Sequence, residues 1–268
     1  MSMILELFHG YLLPGAFLIA APIFFLQTAL TAPTLLFTNL KAYQDLAFAK
    51  LWRIGGMILA NDTPPALSEI LSSSRGVILD VGPGYGHQLS RFSQPDRITT
   101  IYGAEPSTHM HSDLLKRAQK AGLGDKYKVL ACGAELESLV PAMQENKLLD
   151  SDGSLGEGIF DEIVCIRVLC GVADQVATIQ GLYKCLKPGG RLVVCEHVLC
   201  EYPVGTFFQL FYEMLGWSFW AGGCQLRRDT VKVLTKVAEK DGGWKDVKLQ
   251  LVDEWSALPH VVGYLVKK

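Results

Sequence analysis

The sequence predicts an α/β protein: a doubly wound, mostly parallel sheet of seven strands, preceded by an N-terminal membrane segment. Two observations predict this fold. From Val77 onward, short apolar runs alternate with longer amphipathic ones, which is typical of the β-α units of a parallel sheet. Before that point, residues 7–40 contain no Asp, Glu, Lys or Arg and are rich in Leu, Ile, Phe and Ala. A chain of 268 residues is long enough for one such domain plus an appendage.

The uncharged N-terminal run predicts that residues 1–40 are a membrane anchor. The run is longer than the roughly 20 residues that a helix needs to cross a bilayer. A cleaved signal peptide would begin with basic residues, and a buried core helix would not be apolar on all sides. Three prolines leave open a single kinked span or a hairpin: Pro14, Pro22 and Pro33. Basic residues follow the run and none precedes it, which predicts that the rest of the chain faces the cytosol.

Residues 41–76 are predicted to form an amphipathic helix and a linker. Apolar residues recur along one stripe in the first half of this segment. Trp52 and Arg53 suit a membrane interface, and packing of the helix on the following domain explains them equally well. A short helix is expected at 66–71, between two prolines and a loop that leads into the first strand.

Residues 77–268 are expected to form one domain. Five apolar runs predict parallel strands at 77–81, 99–104, 126–131, 160–167 and 191–197. Helical patterns between them begin at 87–92 and cover 110–122 and 176–186. Two further runs, 247–252 and 260–266, predict a terminal hairpin that completes a seven-stranded sheet.

A glycine-rich turn follows the first predicted strand, with the sequence Asp-Val-Gly-Pro-Gly-Tyr-Gly from Asp80 to Gly86. Gly82 and Gly84 would let the backbone approach a ligand closely, and Gly86 would let a helix pack near the strand. Asp80 ends the strand, where it can bind a charged amino-acid group. Alone the motif is weak evidence for a ligand-binding site, because any tight turn between a strand and a helix favours glycine. The G-x-G-x-x-G dinucleotide fingerprint is not met, because a histidine follows Gly86.

Carboxylates follow the next two predicted strands. Glu105 ends the second strand, where a carboxylate can accept hydrogen bonds from two ribose hydroxyls. Glu135 follows the third strand and is expected to mark an adenine-binding loop. The alternatives are an acid at a helix N-terminus for Glu105 and a solvated loop carboxylate for Glu135.

Together these residues resemble the motifs of class I S-adenosylmethionine-dependent methyltransferases. The acidic strand end with its three glycines resembles their motif I, Glu105 matches their ribose acid, and Leu186–Leu192 (LKPGGRL) resembles the segment before their fifth strand. Pro83 departs from the pattern, because it stiffens the turn and removes one N–H donor. The resemblance implies a Rossmann-like methyltransferase sheet and S-adenosyl-L-methionine as cofactor.

The second half of the chain resembles the methyltransferase-like protein 7 family. The resemblance is carried by short motifs at 168–170 (VLC), 196–198 (EHV), 223–228 (GCQLRR) and 259–264 (PHVVGY). It implies an enzyme anchored on endoplasmic reticulum or lipid droplets that methylates a small lipophilic thiol. Residues 144–158 look like an insertion relative to that family and predict a surface loop.

Methyl transfer from a sulfonium is an in-line displacement, in which the protein mainly orients two reactants. Arg167, at the end of the fourth strand, is expected among the cofactor contacts. At the end of the fifth strand, His197 is the candidate to deprotonate the acceptor and Glu196 to orient it. The alternative for His197 is a structural histidine under the aromatic segment 207–220, which is expected to form a lid over the acceptor.

Other functions remain open from the sequence. An O- or C-methyltransferase acting on a phenol, quinone or polyketide would share the fold and the cofactor. A membrane-tethered scaffold without activity is the non-enzymatic alternative. Nucleic acid is not expected as a partner, because 25 basic residues nearly balance 27 acidic ones. A metal is not expected either, because none of the seven cysteines forms a C-x-x-C pair.

Overall fold

A computed structural model of the chain describes residues 3–268. Met1 and Ser2 of the predicted anchor lie outside the described residues. The α-helices are α1 Met3–Thr31, α2 Pro33–Thr38, α3 Leu40–Asn61, α4 Pro65–Ser72, α5 Thr108–Lys120, α6 Leu136–Glu145, α7 Gln175–Cys185, α8 Pro203–Met214, α9 Trp217–Trp220 and α10 Thr230–Lys236. The strands are β1 Gly76–Val81, β2 Ile98–Ala104, β3 Tyr127–Leu130, β4 Phe160–Ile166, β5 Leu186–His197, β6 Trp244–Val252 and β7 His260–Lys267.

The strands form one seven-stranded sheet in the order β3-β2-β1-β4-β5-β7-β6. The first five strands are parallel, and β7 runs antiparallel to both β5 and β6. This confirms the doubly wound α/β sheet and the terminal hairpin. The strand order reverses between β1 and β4, and in such sheets a crevice opens at this point beyond the carboxyl ends of the strands.

Helices cover both faces of the sheet. Successive residues of β1 point to opposite faces, so Leu79 joins the cluster packed under α6 and α7. Ile78 joins the other cluster, which contains Leu67 of α4 and Leu114 of α5. Burial on both faces explains why the parallel strands are continuous apolar runs in the sequence.

The helix expected to begin at 87–92 does not form. Two short 3₁₀ turns, Leu89–Arg91 and Pro95–Arg97, connect β1 to β2 instead. Three glycines with positive φ occupy the start of this connection and Pro95 lies near its end, so little chain is left for an α-helix. Helix α4 covers this face of β1 in its place.

Helix α1 is continuous through Pro14 and Pro22, and its segment from Gly10 to Thr31 is long and apolar enough to cross a membrane. One of its faces nevertheless packs on the rest of the molecule. Tyr11 stacks on Phe208 of α8, with ring centroids 5.2 Å apart. Farther along, aromatic rings of α1 contact α9 and α3: Phe17 on Trp217, and Phe25 on Tyr43 and Trp220.

Helix α3 packs on the domain rather than projecting from it. Trp52 stacks on Phe48, and its indole lies against the turn at Gly84. Arg53 pairs with Asp113 of α5 at 2.9 Å. The sequence allowed two explanations for Trp52 and Arg53, a membrane interface and packing on the domain. In the structure both residues contact the domain.

Candidate active site

A cavity of about 1390 Å³ opens beyond the carboxyl ends of β1, β2, β4 and β5. Helices α1 and α3 form its opposite wall through apolar side chains that include Leu13, Phe17, Leu51 and Ile58. Six of the residues predicted for the site line this cavity: Gly82, Gly84, Glu105, Glu135, Arg167 and His197.

The glycine-rich turn forms the floor of the cavity below α3. Gly82 and Gly84 have φ values of 61° and 58°, a conformation that L side chains rarely adopt. A Cβ at Gly82 would lie 2.6 Å from the Val168 side chain, and one at Gly84 would lie 3.1 Å from the Trp52 indole nitrogen. Both positions therefore need glycine for conformation and for space.

Glu105 lies at the end of β2 beside this turn. Its Oε2 accepts a hydrogen bond from the Gly84 N–H at 2.8 Å, and its Oε1 accepts one from the Ser107 N–H at 2.8 Å. Burial raises the pKa of Glu105, while these two N–H donors act to lower it. Each oxygen keeps a second lone pair, so the carboxylate can still accept bonds from ligand hydroxyls.

Asp80 and Gly86, the two ends of the turn, line a separate small cavity. Asp80 accepts a hydrogen bond from the Tyr127 hydroxyl at 2.8 Å. Burial raises the pKa of Asp80 to about 7, with the Tyr127 hydrogen bond opposing and the Glu105 charge adding to the shift. A Cβ at Gly86 would lie within 3 Å of Leu89 and Leu114, so this glycine allows the connection to pack on α5.

Arg167 follows β4 with a positive φ of 55°, unusual for a residue other than glycine. Its Nη1 donates to the Thr63 hydroxyl at 3.0 Å. Its Nε and Nη2 are buried and have no hydrogen-bond partner among residues 3–268. A guanidinium with three N–H groups that have no partner is suited to bind a carboxylate.

Glu196 does not take the place that the sequence suggested for it. Among the described residues that line the cavity, His197 is present and Glu196 is not. The fully buried Glu196 accepts hydrogen bonds through Oε1 from the N–H groups of Val168 and Leu169, at 2.9 and 3.1 Å. It cannot orient an acceptor by direct contact, because the alternation along β5 directs His197 into the cavity and Glu196 away from it.

His197 is joined in the cavity wall by two cysteines, and we call these three residues the thiol–imidazole cluster: Cys170, His197 and Cys224. The donor atoms lie within 4.8 Å of one another. His197 Nε2 lies 3.0 Å from Cys224 Sγ, and the Trp217 indole N–H donates to the same sulfur at 3.0 Å. Burial favours neutral His197, but the neighbouring Cys170 and Glu196 raise its pKa above the ordinary value.

The sequence did not reveal this cluster, because its members come from three segments that are far apart in the chain. Cys170 follows β4, His197 ends β5 and Cys224 follows α9. Gln225 N–H donates to the Cys170 carbonyl at 3.0 Å, and this bond joins the two cysteine loops. Each member does lie in one of the short motifs of the second half, but nothing in the sequence shows that these three motifs meet.

The aromatic segment 207–220 is only in part the expected lid. Trp217 lines the cavity. Phe208 and Tyr212 pack on α1, and Phe207 and Phe211 are exposed. Most of the apolar wall comes instead from α1 and α3, which the sequence predicted to be a membrane anchor and an amphipathic helix.

Residues 59–226 match the family model described as a methyltransferase domain. The chain belongs to this family. It is a methyltransferase that depends on S-adenosyl-L-methionine.

Two human relatives of this methyltransferase are thiol S-methyltransferases. TMT1A of Homo sapiens is 28% identical over 195 residues, which cover 71% of this chain and 70% of the relative. TMT1B of Homo sapiens is 27% identical over 202 residues, with 73% and 72% covered. The resemblance to the methyltransferase-like protein 7 family agrees with these matches.

Solved structures support the fold of the methyltransferase. An O-methyltransferase family protein from Burkholderia thailandensis matches with a TM-score of 0.53 and 14% identity, covering 85% of this chain and 60% of that one. The S-adenosylmethionine-dependent methyltransferase SibL matches with a TM-score of 0.52 and 16% identity, covering 81% and 58%. At these identities the likeness concerns the fold alone.

The raised pKa of Asp80 predicts a pH-dependent stability. Its carboxyl titrates near 4 in the unfolded chain and at about 7 in the folded one. The unfolded state therefore ionises first, and the contribution of Asp80 to the free energy of unfolding falls between these values, by at most about 1.4 kcal/mol per pH unit. We expect Asp80→Asn to gain stability relative to the native protein as pH rises from 5 to 8. Denaturant unfolding in detergent at both pH values measures this difference, and an equal difference at both would contradict it.

Proposed function

We propose that the protein transfers the methyl group of S-adenosyl-L-methionine to the sulfur of a small lipophilic thiol. One observation carries this proposal. The thiol–imidazole cluster lies in the wall of a largely apolar cavity that also contains the glycine turn and Glu105. Cofactor and acceptor therefore have adjoining places in one cavity. The activity of the relatives, thiol S-methylation, supports sulfur as the accepting atom.

The residues of the cavity fit the cofactor. Glu105 has free lone pairs for the two ribose hydroxyls, and the turn at Gly82 and Gly84 has no side chains that would keep the ligand away. The unpartnered N–H groups of Arg167 fit the carboxylate of the methionine part. Glu135, also on the wall, is the candidate for the adenine side, and Asp80 would act from the start of the turn.

Bound in this way, S-adenosyl-L-methionine supplies a methyl group activated by a sulfonium. The residues of the chain have three tasks: to hold the acceptor in line with that group, to exclude water and to favour the ionised acceptor. Leu13 and Phe17 of α1, with Leu51 and Ile58 of α3, would hold an apolar acceptor body. The acceptor sulfur would then lie at the polar end of the cavity, beside His197.

We assign His197 to activation of the acceptor sulfur, because its imidazole lines the cavity at this end. Glu196 is a positioning residue in this proposal. Through the N–H groups of Val168 and Leu169 it ties the loop that follows β4 to the end of β5. That loop carries Arg167 and Cys170, so the same carboxylate orients groups on the cofactor side and the acceptor side.

Membrane association is the second part of the proposal. The outer face of α1 exposes large apolar side chains, and neighbouring α2 and α8 do the same: Ile19, Ile23, Leu26, Leu30, Phe37, Phe207 and Met214. Contacts from Tyr11 to Phe25 tie the inner face of α1 to the domain. These contacts favour a helix that lies along the membrane rather than one that leaves the domain to cross it. The resemblance to the methyltransferase-like protein 7 family suggests the cytosolic side of endoplasmic reticulum or lipid droplets.

The cofactor assignment predicts that Gly84→Val abolishes binding of S-adenosylhomocysteine. A valine side chain at this position would occupy the floor of the cavity. Gly189→Val is a matched control. Gly189 has a positive φ of 75° and nothing within 4 Å of an added Cβ, so a valine there introduces backbone strain without filling the cavity. Titration calorimetry in detergent compares the two. Loss of affinity in both variants, or in neither, would contradict the assignment.

The acceptor assignment predicts S-methylation. With labelled S-adenosyl-L-methionine, we expect an arenethiol to be methylated and the phenol with the same ring to be a poor substrate. His197→Ala should lower turnover of the thiol by roughly 10²- to 10⁴-fold, the range for groups that ionise a nucleophile, with unchanged affinity for S-adenosylhomocysteine. Preference for the phenol would indicate O-methylation, and transfer to neither would favour a scaffold. Equal losses of affinity and turnover would make His197 structural.

The membrane assignment predicts that charges on the outer face of α1 release the protein. Ile19 and Ile23 are 78% and 65% exposed and lie one helical turn apart, so Ile19→Glu with Ile23→Glu should move the protein to the soluble fraction without loss of S-adenosylhomocysteine binding. The control places two glutamates at exposed apolar positions of α5 and α7, Leu115 and Val176, and should stay with the membrane. Retention of the α1 variant in the membrane fraction would overturn the assignment.

A further inference from the structure

We propose that the thiol–imidazole cluster is a zinc site whose open coordination position faces the acceptor. Two thiols and one imidazole are a donor set that Zn²⁺ prefers, and three protein ligands with one open position are typical of catalytic zinc. Cys170, His197 and Cys224 supply these donors and all three line the cavity. The role in catalysis rests on the proposed thiol methylation, whereas the metal site itself does not.

The distances between the three donor atoms are close to those of a tetrahedral zinc site, so only small movements of the side chains are needed to bind the metal. Zn–S bonds of about 2.3 Å and a Zn–N bond of about 2.0 Å in a tetrahedron place the sulfurs about 3.8 Å apart and each sulfur about 3.5 Å from the nitrogen. The three donor atoms lie within 4.8 Å of one another, and His197 Nε2 is 3.0 Å from Cys224 Sγ. Changes of about 1 Å or less, within reach of side-chain rotation, would therefore form the site.

Hydrogen bonds hold the two cysteine ligands in place, as supporting hydrogen bonds do in metal sites. The Trp217 indole can only donate, and it donates to Cys224 Sγ at 3.0 Å, which holds this sulfur in place. Arg228 donates to the carbonyls of Leu169 and Val172, on both sides of Cys170. With the bond from Gln225 N–H to the Cys170 carbonyl, these contacts fix both cysteine loops.

The chemistry of the acceptor explains what a metal would add. A thiol that enters an apolar cavity leaves water, and desolvation disfavours its thiolate. A lone imidazole could take the proton only by becoming a second buried charge. Zn²⁺ with two cysteine thiolates has no net charge, and it binds a further thiol as the thiolate.

The reaction then balances without any further reactant. The acceptor R–SH binds as fourth ligand and releases its proton to solvent. Its sulfur uses a lone pair to form the new bond to the methyl carbon, while the bond between that carbon and the sulfonium sulfur breaks. The electron pair of the broken bond stays on the departing S-adenosylhomocysteine. The product, a neutral thioether, is a weaker zinc ligand than a thiolate and leaves the site.

The test measures metal on the full-length protein purified in detergent. We expect about one zinc ion per chain by elemental mass spectrometry. After removal of zinc, added Co²⁺ should give the intense visible bands of a tetrahedral site and a sulfur-to-cobalt charge-transfer band. Cys170→Ser and Cys224→Ser should lose the metal and these bands. Cys132→Ser, a buried cysteine outside the cluster, should keep both. Binding of S-adenosylhomocysteine shows that each variant is folded.

A second measurement places the acceptor. Addition of an arenethiol to the cobalt form should shift the charge-transfer band, and the matching phenol should leave it unchanged. Absence of zinc and of cobalt bands in a protein that binds S-adenosylhomocysteine overturns the metal site, and so does metal retained by Cys170→Ser combined with Cys224→Ser. Undiminished thiol methylation after removal of the metal overturns its role in catalysis but not the proposed function. A metal-loaded enzyme that methylates only the phenol overturns the function and keeps the site.

Discussion

The reversal of strand order between β1 and β4 is the constraint on which the site depends. Because the strands on both sides of this point are parallel, their carboxyl ends all open to the same crevice. Gly82, Glu105 and Arg167 follow three different strands and meet there. Residues that are more than 80 positions apart in the chain thus line one cavity. Hydrogen bonds then hold these residues in position. One example is the bond from Gly84 N–H to the Glu105 carboxylate.

Buried polar groups hold the crevice in shape. Glu196 is fully buried, and its Oε1 accepts two backbone N–H groups that would otherwise lack partners at the turn after β4. Asp80 is held in a similar way by the Tyr127 hydroxyl. Such groups are costly to bury and are stabilised only in one arrangement, which makes them effective for orienting neighbours. In this fold they orient the backbone that carries the residues of the cavity.

Helix α1 connects the cavity with the membrane proposal. Its inner face supplies Leu13 and Phe17 to the cavity wall, and its outer face exposes Ile19 and Ile23. A helix that is apolar on all sides can do both, because in the proposed placement each face would meet an apolar environment. A lipophilic acceptor that leaves the bilayer would therefore reach the cavity past a single helix. In this proposal the most apolar part of the chain both contacts the membrane and lines the cavity.

The sequence by itself determined the sheet, the glycine turn, the place of Glu105 at the end of the second strand and the presence of a long apolar segment before the domain. These features depend on local periodicity and spacing, which a chain displays directly. The tertiary structure alone decided that α1 lines the cavity, that Glu196 points away from it, and that Cys170, His197 and Cys224 meet. The sequence shows no local pattern for contacts between distant segments, or for which side of the sheet a single strand residue points to. Both depend on how separate elements pack.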